Sequence, residues 1–245
     1  MSTATLPGLE SLRDKVAVVT GGARGQGAAE VRLFRDLGCR VVAADVLDDE
    51  GRRLADELGP EVGYRHLDVT DAGAWGDLVA ATTAEHGRID VLVNNAGIFR
   101  KAALDEWSPE DVRRMIDVNL MGTILGIQAV APAMPRGGAI VNIASTAGIR
   151  GYGAALPYSA SKWGVRGVSR SAAQGLARKG IRVNCVCPGA VDTPMIDATA
   201  LDVTRLPIPR AGSTDEIAAV VAFLASAAAG YCTGAEVVVD GGLNA

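Results

Sequence analysis

The amino-acid sequence predicts an α/β chain whose helices wind on both sides of one seven-stranded parallel sheet. Three observations predict it. Short β-branched runs alternate from end to end with longer segments of helical periodicity, the pattern of βαβ units. These runs are apolar at successive positions rather than alternate ones, as strands covered on both faces are. The first run leads straight into a glycine-rich turn that opens a helical pattern.

The strand candidates are VAVVT (16–20), RVVAAD (40–45), VGYRHL (62–67), IDVLVN (89–94), GAIVNIA (138–144), IRVNCVC (181–187) and EVVVD (236–240). Between them, EVRLFRDLG, DDEGRRLADELG and DLVAATTAEHG carry apolar residues at helical spacing and end in glycine, as helix C-termini often do. A Ser-Pro-Glu start, with Ser108 as cap and Pro109 in the first turn, opens one long helix running through NLMGTILGIQAV. The stretch from Ile217 to Gly230 is too short to span a bilayer and reads as a buried helix. No linker, repeat or low-complexity tract divides residues 1–245, which predicts a single domain. One long irregular insert lies at about 192–212, and loops of that kind in compact domains often close over ligands.

Composition narrows the function. Of 245 residues 49% are hydrophobic but only 4% aromatic, with 30 glycines, so the core is expected to be built from Ala, Val, Leu and Ile around tight turns. A formal net charge of -4 offers no basic field to phosphate backbones, so nucleic acid is not an expected partner. Cys39, Cys185, Cys187 and Cys232 lack metal-ligand spacing and the chain has 2 histidines, so no metal site is expected and buried thiols in a reducing compartment fit better. The stretch MSTATLPGLESLRDK has neither the basic nor the apolar segment of a secretory leader. Cytoplasmic placement without a membrane partner is the expectation.

The turn TGGARGQG places Gly21, Gly25 and Gly27 between a strand and a helix, where backbone can approach a pyrophosphate and the helix N-terminus favours its charge. Glycines alone would equally make a plain tight turn. Asp45, at the end of the second strand, is placed to accept hydrogen bonds from an adenosine ribose 2′-hydroxyl, although alone it would read as a cap or turn residue. The two signals together stand at the spacing of a dinucleotide site. Arg24 in the turn could pair with a 2′-phosphate. A carboxylate against that dianion costs more than one exposed arginine returns, so NAD(H) is expected over NADP(H).

The segment YSASK places Tyr158 and Lys162 four apart on one helix face, and Ser145 closes the apolar run AIVNIAS at a strand end. Isolated, these are ordinary helix surface and an ordinary cap, and Asn119 is an ordinary mid-helix polar residue. Beside a cofactor site they form a proton-handling set. A lysine ammonium favours the phenolate of a tyrosine whose ordinary pKa is about 10, and a serine hydroxyl can donate to a developing alkoxide.

Over essentially the whole chain the motifs resemble the classical short-chain dehydrogenase/reductases. The TGxxxGxG turn matches Thr20, Gly21, Gly25 and Gly27; NNAG matches Asn94 to Gly97; the helix asparagine matches Asn119; the serine matches Ser145; YxxxK matches Tyr158 and Lys162; and PG matches Pro188 and Gly189. The resemblance implies a single-domain Rossmann-type fold, NAD(P)-dependent oxidoreduction of an alcohol or carbonyl, and a homotetramer. It implies that the glycine-rich turn, with Arg24 and Gln26, holds the pyrophosphate and that Asp68 and Val69 contact adenine. It further implies that Asn95, Ala96 and Gly97 line the adenine-ribose side, and that Val191 and Thr193 hold the nicotinamide carboxamide. Asn119 would carry a proton relay through its backbone carbonyl to Lys162, which with Tyr158 also contacts the nicotinamide ribose. Gln26 departs from the family, which most often has an apolar residue there.

The stretches GGARGQGA, ADVLDDEG, YRHLDVTD, YSASKWGVRGVS and YCTGAEVVVDGG are most similar to bacterial hydroxysteroid dehydrogenases of the 3α/20β type. Substrate choice is expected in FRKAAL (99–104), TAGIRGYGAALP (146–157) and the loop after Thr193. Ile149, Tyr152, Leu156, Met195 and Ile196 there predict an apolar pocket, while Arg100, Lys101, Arg150, Arg205 and Arg210 leave an anionic or carrier-bound substrate open. A 3-oxoacyl thioester ketoreductase is the second reading, and a non-catalytic NAD-sensing or scaffold protein the third.

Overall fold

The computed structural model describes residues 8–195, 203–204 and 206–245. Its strands are β1 (Val16–Thr20), β2 (Arg40–Asp45), β3 (Val62–His66), β4 (Val91–Asn94), β5 (Ala139–Ile143), β6 (Arg182–Pro188) and β7 (Glu236–Val239). They form one 7-stranded sheet in the order β3-β2-β1-β4-β5-β6-β7, and every pairing is parallel. The chain winds outward from β1 to β3, then returns to β4 and winds the other way. The reversal leaves a crevice beyond the C-terminal ends of β1 and β4, where open α/β sheets take ligands.

Strands β1, β2, β4, β5 and β6 contribute to two cores because successive side chains point to opposite faces. Ala17, Val19, Val41, Ala43 and Val93 pack with Val31 and Phe34 of α1 (Gly25–Asp36), Leu54 of α2 (Asp48–Leu58) and Ile217 and Val221 of α7 (Thr214–Ala225). Val18, Val42, Leu92, Ile140 and Val183 pack on the other face. Their partners there include Trp75 and Leu78 of α3 (Ala72–His86), Ile127 of α5 (Gly122–Val130) and Ala173 of α6 (Leu156–Leu176). The apolar runs are continuous because both faces are covered. Cys39, Cys185 and Cys187 are buried free thiols, and Cys232 is half-buried.

The helix boundaries follow local chemistry. Ser108 Oγ accepts from Asp111 N at 3.1 Å to cap α4 (Pro109–Ile116), and Ser213 with Glu216 forms a capping box on α7. Helices α2 and α3 end at Gly59 and Gly87, whose φ values of 85° and 81° lie in the left-handed region.

Two expectations need correction. The helix expected to run unbroken from Pro109 opens into a π-helical turn at Asp117–Met121 before continuing as α5. Asn119 sits inside that turn, fully buried, and its side chain bonds Ile98 and Ser161 of neighbouring elements as well as Met115 Sδ one turn earlier. The apolar stretch from Ile217 is not helical to Gly230. Helix α7 stops at Ala225, because Ser226 turns extended and its Oγ caps a 3-10 turn over Ala227–Ala229, accepting from Ala228 N at 3.2 Å.

Candidate active site

The glycine-rich turn leaves β1 and enters α1 through two left-handed glycines, Gly21 at φ 62° and Gly25 at φ 57°. Gly27 is required for closeness: a Cβ there would lie 2.1 Å from the Gly21 carbonyl oxygen. The first turn of α1 carries no acidic residue, so its amides and dipole face the crevice unopposed. Thr20 stitches this turn to the loop after β4, its Oγ1 accepting from Asn95 N at 3.1 Å and Ala96 N at 3.0 Å. Asn95 Nδ2 donates back to Thr20 O at 3.0 Å and Gly21 O at 3.2 Å.

Asp45 is buried at the end of β2. Its Oδ2 accepts from Ala23 N at 3.0 Å and its Oδ1 from Leu47 N at 3.1 Å. The carboxylate is thus fixed on the crevice wall with lone pairs to spare. At the end of β3, Asp68 Oδ1 accepts from Thr70 N at 2.9 Å and Thr70 Oγ1 at 2.8 Å, and these bonds hold its carboxyl below the usual range. Gln26 turns onto its own helix and across to the β4 loop, Nε2 donating to Glu30 Oε1 and Asn95 Oδ1, each at 3.1 Å.

At the other end, α6 starts at Leu156 with Pro157 in its first turn and presents Tyr158 and Lys162 on one face. Lys162 Nζ lies 5.6 Å from the Tyr158 ring centroid and donates to the Ile143 carbonyl of β5 at 2.9 Å. Burial lowers the Lys162 amine to about 8. Burial also pushes the Tyr158 phenol up, against the opposing pull of a hydrogen bond with Ser145. Ser145 additionally caps the following turn, its Oγ accepting from Ala147 N at 3.1 Å. The serine therefore serves as a cap while standing beside the Tyr158 hydroxyl.

Asn119 Oδ1 accepts from Ile98 N at 2.8 Å, and Nδ2 donates to Ile98 O at 3.0 Å and Ser161 Oγ at 3.2 Å. Its side chain is spent on locking the β4 loop to α6. Gly97 lies against this pair: a Cβ there would stand 3.3 Å from Asn119 Oδ1 and 3.6 Å from Lys162 Nζ.

Every predicted site residue except Asn119 lines one cleft of about 1150 Å³. Gly21, Arg24 and Asp45 stand in it with Asp68 and Val69 near the β1–β3 ends, and Ser145, Tyr158, Pro188, Gly189, Val191 and Thr193 near the β5 and β6 ends. Of the expected substrate residues, Lys101, Arg150, Tyr152 and Met195 line it. Ile149 and Leu156 do not: Ile149 packs on the buried cluster of Ala144 and Val165, and Leu156 points outward. Arg100 and Arg210 are likewise withdrawn, paired at 2.7 Å with Asp111 and Glu216. Ile196 and Arg205 lie outside the described residues. Leu243 of the C-terminal tail and Arg114, Asp117 and Val118 beside the π turn also line the cleft, and no local pattern in the sequence marked them.

Residues 21–244 match the family model described as enoyl-(acyl carrier protein) reductase. The 3-alpha-(or 20-beta)-hydroxysteroid dehydrogenase of Mycobacterium tuberculosis is 44% identical over 230 residues, 93% of this chain and 88% of that one. The chain is a short-chain dehydrogenase/reductase. A second member of the family, trans-4-hydroxycyclohexanecarboxylate dehydrogenase of Sinomonas cyclohexanicum, is 40% identical over 246 residues, 96% of this chain and 95% of its own. The crystal structure of gox2181 superposes with a TM-score of 0.91 at 34% identity, covering 96% of this chain and 98% of that one. As a short-chain dehydrogenase/reductase the protein is an oxidoreductase of hydroxyl or keto groups, in a family that uses nicotinamide cofactors. Among the described residues no helix is long and apolar enough to cross a membrane.

Proposed function

We propose that the protein is an NAD-dependent dehydrogenase of a ring-borne secondary alcohol, or a reductase of the matching ketone, working through Ser145, Tyr158, Lys162 and Asn119. The observation that carries this reading is the convergence of Tyr158, Lys162 and Ser145 at one end of a cleft whose other end presents Asp45.

The residues present fit a dinucleotide. The Gly21–Gly27 approach leaves no room for a Cβ, α1 begins without an acid, and the Asp45 carboxylate is fixed by two backbone amides. Gly21, Arg24, Gly25, Gln26 and Gly27 would hold the pyrophosphate, and Asp45 the adenosine ribose. Asp68 and Val69 would hold adenine, with Asn95, Ala96 and Gly97 beside it. Pro188, Gly189, Val191 and Thr193 would hold the carboxamide end. When bound, NAD(H) supplies or accepts the hydride.

The chain's own residues handle the proton. Charged Lys162 beneath the Tyr158 ring favours the phenolate that takes the alcohol proton, offsetting the burial that opposes it. Ser145 donates to the substrate oxygen as charge develops there. Asn119 is a positioning residue, its side chain fixing the β4 loop on α6, and its main-chain carbonyl, which accepts from Thr123 Oγ1 at 3.1 Å, would carry the outward relay from Lys162.

Both named relatives are dehydrogenases of alcohols carried on an alicyclic skeleton, a steroid (at ring position 3 or side-chain position 20) in one and a cyclohexane in the other, and Phe99 and Tyr152 give this cleft an apolar wall to match. Asp45 weighs against the NADPH-preferring thioester reductase. The outward Trp163 of α6 and Val238 of β7, 49% and 44% exposed, fit a homotetramer built through those elements, and free cysteines fit a cytoplasmic single-domain enzyme. Turnover of steroid alcohols, simple cyclic alcohols and acyl thioesters with NAD(H) and NADP(H) tests the reading. Oxidation of ring alcohols with NAD is expected to dominate; NADH binding without turnover of any substrate would overturn it.

A further inference from the structure

The substrate end of the cleft finishes in unbalanced charge. The Phe99 ring packs edge-on against Tyr158 with centroids 4.8 Å apart, and stacks near-parallel to Tyr152 at 6.5 Å. Lys101 Nζ stands 5.9 Å from the Tyr152 centroid. The two loops that carry these residues are joined by main chain, Ala102 N donating to Ala154 O at 2.9 Å. Phe99, Lys101, Arg150 and Tyr152 all line the cleft. An aromatic wall therefore runs outward from the phenol and ends beside Lys101, and Arg150 lines the same cleft.

Among the described residues neither cation is neutralised. The neighbouring Arg100 is paired with Asp111, yet among the described residues no carboxylate pairs with Lys101 or Arg150. The acids that do line the cleft, Asp45, Asp68, Glu110 and Asp117, stand at the ends of β2 and β3 and along α4, and Glu110 is paired with Arg113. Among the described residues the positive field at this end of the cleft thus faces an incoming ligand unopposed.

We propose that the substrate is an anionic ring alcohol whose carboxylate lies across an apolar body from the carbinol and is received by Lys101 and Arg150. This inference rests on the dehydrogenase reading above. With the hydroxyl at Tyr158 the apolar body lies along Phe99 and Tyr152, and the carboxylate reaches the end of the wall. Arg150 offers a planar fork matched to a carboxylate, and Lys101 a point charge. A neutral analogue makes the same apolar contacts but loses the charge-assisted ones, each about tenfold in affinity.

The test uses two carboxylate-bearing alcohols of different reach, 4-hydroxycyclohexylacetate and lithocholate, each beside its methyl ester, with acetoacetyl-CoA as the thioester arm. The expected result is a kcat/KM for at least one acid roughly tenfold or more above its ester. In Lys101→Gln and Arg150→Gln this acid-to-ester ratio should fall toward one, chiefly through KM and more steeply at low salt. Equal use of acid and ester, or equal losses on both in the variants, would overturn the proposal while leaving the dehydrogenase reading standing; a preference for the thioester would overturn both. Titration of cyclohexanecarboxylate and its methyl ester into the enzyme–NADH complex separates the two readings. Tight acid binding that needs Lys101 and Arg150, without turnover of any alcohol, would support the anion site and sink the reaction. Equal binding of acid and ester would overturn the anion site on its own.

Discussion

Lys162 Nζ donates to the Ile143 carbonyl at 2.9 Å, which anchors the α6 amine on the last residue of β5, two positions before Ser145. One hydrogen bond thereby sets the strand that carries the serine against the helix that carries the tyrosine. It also leaves the ammonium 5.6 Å from the Tyr158 ring, near enough for each group to favour the charged form of the other.

A pH profile follows from that coupling. Burial pushes the Tyr158 phenol up and the Lys162 amine down to about 8, so burial works against both charged forms, while an ammonium and a phenolate this close work for one another. Alcohol oxidation needs phenolate and should rise with pH. Lys162→Met removes the positive charge, so the rising limb of kcat/KM should move to higher pH and NADH should bind more weakly. Tyr158→Phe should cost about 10²- to 10⁴-fold in turnover with NADH binding nearly intact. An unshifted limb in Lys162→Met, read between about pH 6 and 11, would show that the lysine does not tune the phenol.

Cofactor preference should turn on one carboxylate. Asp45→Ser removes the charge that repels a 2′-phosphate and leaves Arg24 on the same wall, so the NADP-to-NAD ratio of kcat/KM should rise roughly tenfold or more. The substitution also strips acceptors from Ala23 N and Leu47 N, at a stability cost of about 1–2 kcal/mol. Kinetics with both cofactors, with melting temperatures as the control, checks this. A constant ratio in a folded variant would remove Asp45 from the ribose.

These two predictions use residues that were legible in the sequence, and the reason is physical. Tyr158 and Lys162 lie four apart on one helix, Asp45 ends a buried strand, and the glycines fill a turn where a Cβ would collide. Such signals are local. The strands were legible because parallel strands covered on both faces are continuously apolar, with ends uncertain by a residue or two where the ladder stops. The π turn was not, since DVNLM contains no glycine or proline and the turn answers to Asn119 bonding a distant loop. Phe99, edge-on to Tyr158 and stacked on Tyr152, brings two separate loops and α6 together, which no spacing announces.

Glu30 was equally silent, although it shares the buried face of α1 with Gly27, Val31 and Phe34. It is 0% exposed; Oε1 accepts from Gln26 Nε2 at 3.1 Å and Oε2 has no hydrogen-bond partner among the described residues. Burial pushes its carboxyl up to about 8, against the opposing bond from Gln26. From the ordinary value of 4.5 up to about 8, the folded protein therefore holds a proton that the unfolded chain has lost. More protons on the folded state means that stability falls as pH rises: Glu30's contribution is full below 4.5 and lost on passing about 8. The slope from this one group is at most about 1.4 kcal/mol per pH unit. Glu30→Gln keeps the shape and a donor for the network but does not titrate. It should match the wild type near the acid end of that window and exceed it by a few kcal/mol at the alkaline end, by about 1.4 kcal/mol for each unit crossed. Urea midpoints of both proteins across the window decide the matter, and parallel curves would show that Glu30 titrates as an ordinary carboxylate.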